Sequence, residues 1–256
     1  TEAAGVFWYD FNSGNVFPLM KSGWNDGSIV DFLKVDDEFW IATGSDIIAY
    51  SIGDEQRSSY RPQKSTAPTT LFADEEGNVW IGARNSLFRS LGRDIRFIDD
   101  IPGVSALTID HSDNIWFAND EGIFKRVVAK EGLVHAERVL TSPPYSKYGV
   151  ISLFTDSQGF VWCGFYGQGA VRINPETNEI RHFEKELVNG NVLSISGNDE
   201  RVWLSTLSGA TVIDIRNGFK VTNLDRSKGL DCDYVYQVFV DSRGRNWFAS
   251  DREGVA

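Results

Sequence analysis

The feature that most constrains the fold of this chain is a tryptophan that recurs at nearly even intervals. Six tryptophans in similar sequence surroundings are separated by 40, 36, 46, 41 and 44 residues: Trp40, Trp80, Trp116, Trp162, Trp203 and Trp247. An interval of about 41 residues accommodates four short strands joined by tight turns, which is the length of one propeller blade. The spacing therefore predicts repeated four-stranded antiparallel units.

The residues around each tryptophan follow one order. An apolar run ends in an aspartate and is followed by a turn that contains glycine, as in residues 69–77 and 150–159. The aspartate can accept hydrogen bonds from turn amides, and the glycine supplies a positive φ, so this segment is typical of a hairpin. The tryptophan strand, a third strand and a more polar fourth strand follow. Because helical periodicity is almost absent, the sequence predicts an all-β chain.

The repeats predict a single β-propeller domain over residues 1–256, with about six blades of four antiparallel strands. Five whole blades are expected over about residues 16–224. The first residues of the chain read as third and fourth strands, and the last residues stop where a third strand would begin. A sixth blade is therefore expected to be split between the two termini. A slice of a larger ring, with seven blades, is the alternative that the spacing leaves open.

Composition and charge disfavour several classes of function. The chain has 256 residues and a formal net charge of −11, so that a partner with a phosphate backbone is not expected. No stretch approaches the roughly 20 apolar residues that cross a bilayer. The three histidines, His111, His135 and His182, are isolated and occupy different positions of the repeat. The sequence therefore predicts no catalytic residues, no metal site and no cofactor.

The repeated residues have structural interpretations. A tryptophan at a fixed place in each unit is expected to pack between neighbouring blades, and the aspartates Asp74, Asp110, Asp156 and Asp241 are expected to cap turns. Cys163 follows a tryptophan on a strand and is expected to be a small apolar core residue. Cys232 lies in a polar loop and is expected to be a surface thiol.

A candidate ligand face is predicted from the loops instead. In a propeller, the loops between second and third strands open on the same face as the connections between blades. Aromatic and arginine side chains are concentrated there, and such groups suit carbohydrate C–H surfaces, hydroxyls and acids. The candidate residues are Trp24, Tyr60, Arg84, Tyr145, Tyr148, Tyr166, Arg226, Tyr234 and Arg252. Plugging of the channel mouth, or contact with a neighbouring domain, is an equal alternative for these residues.

The units resemble the two-component regulator propeller repeat. The similarity covers almost the whole chain and is strongest over residues 228–255, followed by 72–89, 109–124 and 154–171. Two units depart from the pattern, because residues 36–40 lack the Asp-x-x-Gly turn and Gly197 stands where aspartate is expected. The resemblance implies the periplasmic or extracellular sensor part of an inner-membrane hybrid histidine kinase of a bacterial two-component system, which detects oligosaccharides.

The resemblance thus implies a non-catalytic recognition module. It would detect a glycan fragment and signal to a kinase outside this segment, with neighbouring domains of the same polypeptide as partners and a homodimer of the full-length protein left open. Two other functions stay in view: a propeller lyase acting on a polysaccharide or small molecule, and a scaffold that binds only protein. A fold shared by receptors, lyases and scaffolds does not decide between them.

Overall fold

The computed structural model describes residues 6–250 apart from positions 11, 20–26, 52, 54–55, 61–66, 75, 92–93, 100, 102, 130–131, 142–144, 146–148, 231 and 242. The chain divides into two compact units, residues 1–104 and residues 105–256. Within the described positions the secondary structure is strand, apart from one 3₁₀ turn at Arg226–Lys228. The prediction of an all-β chain is confirmed. No helix among these positions is long and apolar enough to cross a membrane.

In residues 1–104 the strands form one hairpin, β1–β2, and two four-stranded antiparallel sheets, β3–β6 and β7–β10. The strands are β1 (Phe7–Asp10), β2 (Asn15–Pro18), β3 (Ile29–Val35), β4 (Glu38–Thr43), β5 (Ile47–Ser51), β6 (Arg57–Tyr60), β7 (Pro68–Ala73), β8 (Val79–Ala83), β9 (Ser86–Leu91) and β10 (Asp94–Asp99).

In residues 105–256 the strands form three four-stranded antiparallel sheets, β11–β14, β15–β18 and β19–β22, and a hairpin, β23–β24. The strands are β11 (Ala106–Ile109), β12 (Ile115–Asn119), β13 (Gly122–Ala129), β14 (Gly132–Leu140), β15 (Val150–Thr155), β16 (Val161–Phe165), β17 (Ala170–Ile173), β18 (Ile180–Phe183), β19 (Val192–Gly197), β20 (Arg201–Thr206), β21 (Gly209–Asp214), β22 (Lys220–Leu224), β23 (Val235–Val240) and β24 (Asn246–Ser250).

Among the described residues, the second-strand tryptophans Trp40, Trp116, Trp162 and Trp203 pack against the following sheet. Trp116 shares an apolar cluster with Val150 and Val161, and Trp203 shares one with Val235 and Val238. These tryptophans are almost fully buried, and a buried tryptophan side chain removes on the order of 200 Å² from water. The expectation that the repeated tryptophan packs between neighbouring four-stranded units is confirmed.

The turn of the β1–β2 hairpin has the same features as the turn that joins the third and fourth strands of the sheet β19–β22. The Asp10 carboxylate accepts a hydrogen bond from the Asn12 backbone N–H, and Gly14 has φ +69°. In the β21–β22 hairpin, Asp214 accepts in the same way and Gly218 has φ +63°. That β1–β2 and β23–β24 belong to one split blade stays a prediction, as does the number of blades.

Candidate ligand-binding face

The aspartate that ends a first strand holds both the turn and the tryptophan of its own sheet. One Asp110 carboxylate oxygen accepts from the backbone N–H groups of Ser112 and Asn114, and the other accepts from Trp116 Nε1 at 2.8 Å. The same indole-to-carboxylate bond recurs at 2.9 Å for Asp74 with Trp80, 2.7 Å for Asp156 with Trp162 and 3.1 Å for Asp241 with Trp247. Turn capping by the aspartates is confirmed. The hydrogen bond from the indole to the aspartate was not predicted, although the constant six-residue spacing between the two residues could have indicated it.

The sheet β19–β22 departs from this arrangement at the position that the sequence marks. Gly197 replaces the aspartate, and Trp203 Nε1 is buried with no hydrogen-bond partner among the described residues. A Cβ at Gly197 would lie 2.7 Å from the Phe154 ring. The neighbouring phenylalanine therefore occupies the space that an aspartate side chain would need.

The third strand places a cation opposite the tryptophan in three sheets. Arg89, Lys125 and Arg172 pair in register with Trp80, Trp116 and Trp162. Arg172 is itself buried and donates from Nε to Asp156 at 2.8 Å, whereas Val212 stands opposite Trp203. Each of these cations has a partner within the protein: Asp74 for Arg89, the Pro175 carbonyl for Lys125 and Asp156 for Arg172.

At the other end of the strands in residues 105–256 lies the loop face, defined here as Tyr145 and residues 166–169, 184–191, 225–230 and 232–234. Its central loop, 166–169, is held on both sides by backbone hydrogen bonds. Tyr166 N–H donates to Gly149 O at 3.2 Å, and Gly169 N–H donates to Gly190 O at 2.8 Å. The Tyr166 side chain remains 54% exposed. A fixed backbone thus presents an exposed aromatic ring.

A glycine is required where each of these third strands begins. Gly169 has φ +68°, and a Cβ there would lie 2.2 Å from Phe183 O. A Cβ at Gly122 would lie 2.1 Å from Leu140 O, and a Cβ at Gly209 would lie 2.1 Å from Leu224 O. No L side chain fits such an approach, which explains the glycine that follows the small-residue loop in the repeat.

Tyr145 is an anchor of the loop face rather than a free side chain. Its hydroxyl lies 2.9 Å from His182 Nε2, and its ring packs against Phe165 with centroids 5.6 Å apart. Partial burial raises the pKa of the Tyr145 phenol. This predicted site residue therefore shapes the surface by packing.

The connection 225–234 combines an ordered turn with exposed groups. Asp225 accepts from the Ser227 N–H and caps the 3₁₀ turn, and Arg226 Nε lies 2.8 Å from Asp233 Oδ1. Tyr234 is 41% exposed. Cys232 is buried, so its prediction as a surface thiol was wrong: its side chain packs with Leu230 and Val235 beneath the loop.

Of the remaining predicted site residues, two lie in residues 1–104 and three are outside the described residues. In residues 1–104, Tyr60 is half-buried and stacks on Trp40 with centroids 5.9 Å apart, whereas the Arg84 side chain is exposed. Trp24, Tyr148 and Arg252 lie outside the described residues. The structure therefore brings Tyr145, Tyr166, Arg226 and Tyr234 to the same end of the strands in residues 105–256.

A set of residues that sequence reasoning missed lies on the first strands at this end. In β15, β19 and β23 the register shifts between the first and third residues, so each strand contains one extra residue: Ile151, Leu193 or Tyr236. Such bulges redirect side chains and occur often beside binding sites. Tyr236 is 52% and Ile151 37% exposed. These strands lie side by side, since Ser152 Oγ accepts from Ile195 N–H and Ser196 Oγ donates to Val238 O.

Titratable groups show no catalytic arrangement in the described part of the chain. No group of three or more His, Cys, Asp or Glu residues there could hold a metal ion. Cys163 is fully buried, as expected for a small apolar core residue, and burial raises the pKa of its thiol. The His111 side chain is exposed beside the turn after β11, at the end of the strands away from the loop face.

No protein-family model and no curated protein matches the chain. Solved structures do match. The extracellular domain of BT3049 from B. thetaiotaomicron, described as a hybrid two-component system, aligns with a TM-score of 0.75 at 18% identity, over 95% of this chain and 37% of that one. The extracellular domain of BT4673, described as a one-component system of the same bacterium, gives 0.67 at 13% identity, over 96% and 42%. Virginiamycin B lyase H270A from Staphylococcus aureus, with quinupristin, gives 0.76 at 15% identity, over 97% and 85%.

These likenesses show the fold, which is of the propeller type with four-stranded antiparallel sheets. The chain spans little more than a third of the BT3049 domain. A sensor domain and a lyase both match this chain in fold at similarly low sequence identity. Function therefore has to be argued from the residues of this chain.

Proposed function

We propose that this chain is a non-catalytic recognition module of an extracytoplasmic sensor of a bacterial two-component protein. It binds a glycan fragment at the loop face and passes the signal to a kinase outside this segment. The observation that carries the proposal is the set of exposed tyrosines Tyr166, Tyr234 and Tyr236 at this end of the strands, with the Tyr166 backbone fixed by a hydrogen bond to Gly149.

The chemistry of the loop face suits a sugar. Exposed tyrosine rings offer flat apolar faces to C–H groups, and their hydroxyls donate and accept. Asn189 adds an amide whose Nδ2 donates to Ser208 Oγ and whose Oδ1 accepts from Asn191, so the polar groups are already ordered. A preordered site lowers the entropy lost on binding. Support for the compartment comes from the extracellular domains among the structural neighbours.

A panel of oligosaccharides tested by thermal shift and calorimetry examines this proposal. A ligand at 100 times its Kd is expected to stabilise the chain by roughly 2.7 kcal/mol. Tyr166→Ala should weaken that binding, whereas Tyr166→Phe, which keeps the ring, should retain most of it. Unchanged binding in Tyr166→Ala and in Tyr234→Ala would refute the loop face as the ligand site.

A second candidate is a lyase, which the likeness to virginiamycin B lyase favours. The H270A variant of that enzyme is catalytically inactive. In this chain His182, the described histidine nearest the loop face, is engaged by the Tyr145 hydroxyl. Turnover of quinupristin, followed by mass spectrometry, would establish the lyase, and it should then be lost in His182→Ala.

A further inference from the structure

A second candidate site lies in the sheet β15–β18, at the end away from the loop face. A groove of about 430 Å³ opens between the turn after β15 and the hairpin that joins β17 to β18. We call it the Arg181 groove, and it is lined by Phe160, Arg172, Asn174, Glu179, Ile180 and Arg181. Its volume is within the range of small-molecule sites.

One of the two arginines in the groove already has a carboxylate. The Arg172 guanidinium lies 3.5 Å from the centre of the Phe160 ring. Its Nε donates to Asp156 at 2.8 Å and its Nη2 donates to Gln158 at 2.7 Å. A guanidinium that is stacked on a ring keeps its edge free for planar acceptors, and Arg172 uses that edge for Asp156 and Gln158.

Arg181 repeats the stacking without the carboxylate. Its guanidinium lies 3.9 Å from the centre of the Phe219 ring and 5.2 Å from that of Phe183. Its side chain is exposed, and no carboxylate of the described residues forms an ion pair with it. Arg181 therefore has an oriented edge of N–H donors that the protein leaves to solvent.

The ring beneath Arg181 is held in an unusual backbone conformation. Phe219 has φ +62°, and it follows Gly218 at φ +63° in a turn closed by Lys220 N–H donating to Asn217 O. A bulky side chain rarely adopts this conformation, which costs about 1–2 kcal/mol. The β17–β18 hairpin is one residue shorter and has its positive φ at Asn178, so it has no counterpart of Phe219. Strain of this kind persists where the surroundings or a function require the side chain.

Among the residues that line the groove, Arg172 is paired with Asp156 and Arg181 forms no ion pair with a described carboxylate, while Glu179 brings the sum of these charges to zero. Arg172 and Arg181 face each other across neighbouring strands, and like charges in that position repel. Asp156 compensates Arg172 only. Glu179 lines the rim, where it is exposed, and it can accept from ligand hydroxyls.

We propose that the Arg181 groove binds the carboxylate of a hydroxylated acid, such as a uronic acid, through two parallel N–H···O bonds from Arg181. Phe219 orients the guanidinium, and Asn174 and Glu179 lie where ligand hydroxyls would approach. Bidentate guanidinium–carboxylate pairs are both strong and selective for planar acids. The site is separate from the loop face, so it does not depend on the proposed function.

Titration with D-glucuronate, monitored through the arginine Nε–H resonances in ¹H–¹⁵N spectra, tests the proposal. The Arg181 signal should shift saturably at millimolar ligand, whereas D-glucose should shift it little. Arg181→Gln should weaken binding roughly tenfold or more. Arg138→Gln, which removes an exposed guanidinium 3.8 Å from Glu121 in another sheet, is the charge-matched control and should bind as the parent does.

Phe219→Leu tests the stacking while keeping an apolar side chain against the cluster on which Phe219 packs. Arg181 then loses its aromatic surface, so glucuronate binding should weaken with little change in urea unfolding. Equal affinity for D-tartrate would retain the site but broaden its ligands to acyclic hydroxy acids. Equal shifts with glucose, unchanged affinity in Arg181→Gln, or a loss in Tyr166→Ala rather than Arg181→Gln would overturn it.

Discussion

Asp156 is expected to be the most costly of the repeated aspartates to remove. It is fully buried and accepts from the backbone N–H groups of Gln158 and Phe160, from Trp162 Nε1 and from Arg172 Nε. Asp156→Ala would leave a buried guanidinium without its carboxylate, which costs about 3–5 kcal/mol. Asp110 holds the two equivalent turn amides and an indole, and the Asn114 side-chain amide donates to it in place of an arginine.

The comparison sets a buried ion pair against a carboxylate that has only neutral donors. Asp110→Ala should cost about 2–3 kcal/mol, from neutral donors left unpaired. Asp156→Ala should exceed it by about 2 kcal/mol, or roughly 4–8 °C in Tm for a unit of this size. Urea unfolding, followed by tryptophan fluorescence and circular dichroism together, measures both variants.

A double-mutant cycle completes the test. Arg172→Met alone removes the charge and leaves Asp156 with its neutral donors. In the Asp156→Ala, Arg172→Met double variant the buried guanidinium is gone, so the double variant should be more stable than Asp156→Ala alone. Equal losses for Asp110→Ala and Asp156→Ala, or no rescue by Arg172→Met, would refute this account of the buried pair.

Three further outcomes are expected. Gly169→Ala should lower the free energy of unfolding in urea by more than about 2 kcal/mol, because the new Cβ clashes with Phe183 O. Gly218→Ala should cost only about 1 kcal/mol, because no atom lies within 4 Å of its Cβ. Trp203→Phe should cost less than Trp116→Phe by about 1 kcal/mol, since only Trp116 Nε1 has a partner; equal thermal melts would contradict this. Desolvation opposes ionisation of Asp241, but hydrogen bonds from Arg245, Trp247 and Arg243 outweigh it and lower the pKa of this carboxyl. The ionised Asp241 therefore stabilises the fold above about pH 4, and this stabilisation is lost on acidification. Acid melts of Asp241→Asn should accordingly lose less stability between about pH 5 and pH 2 than the parent.

The strand order could be predicted because turn chemistry and tryptophan spacing repeat. Asp74, Asp110, Asp156 and Asp241 each stand six residues before a tryptophan, and this constant distance predicts the hairpin that each of them begins. The buried face of each second strand follows from the same pattern. Such features are local in sequence, so one chain is sufficient to find them.

The candidate site was predicted less completely. The loops and Tyr166 were identified from composition, but the engagement of Tyr145 by His182 depends on a contact 37 residues away. The bulge residues were missed because a bulge is a property of the pairing between two strands and not of the sequence of one strand. The Arg181 groove was missed for a similar reason, since it depends on which residues of two neighbouring sheets face each other.

The repeated bulge separates two roles of the same strand: recognition at one end and packing of the sheets at the other. In β15, β19 and β23 it lies beside the connections between sheets, far from the aspartate that binds the tryptophan in β15 and β23. Substitutions or insertions on the connection side can then be absorbed by the unpaired residue without shifting the alternation that buries Leu153, Ile195 and Val238. Evolution could therefore vary what this end of each strand recognises while the opposite end continues to hold the sheets together.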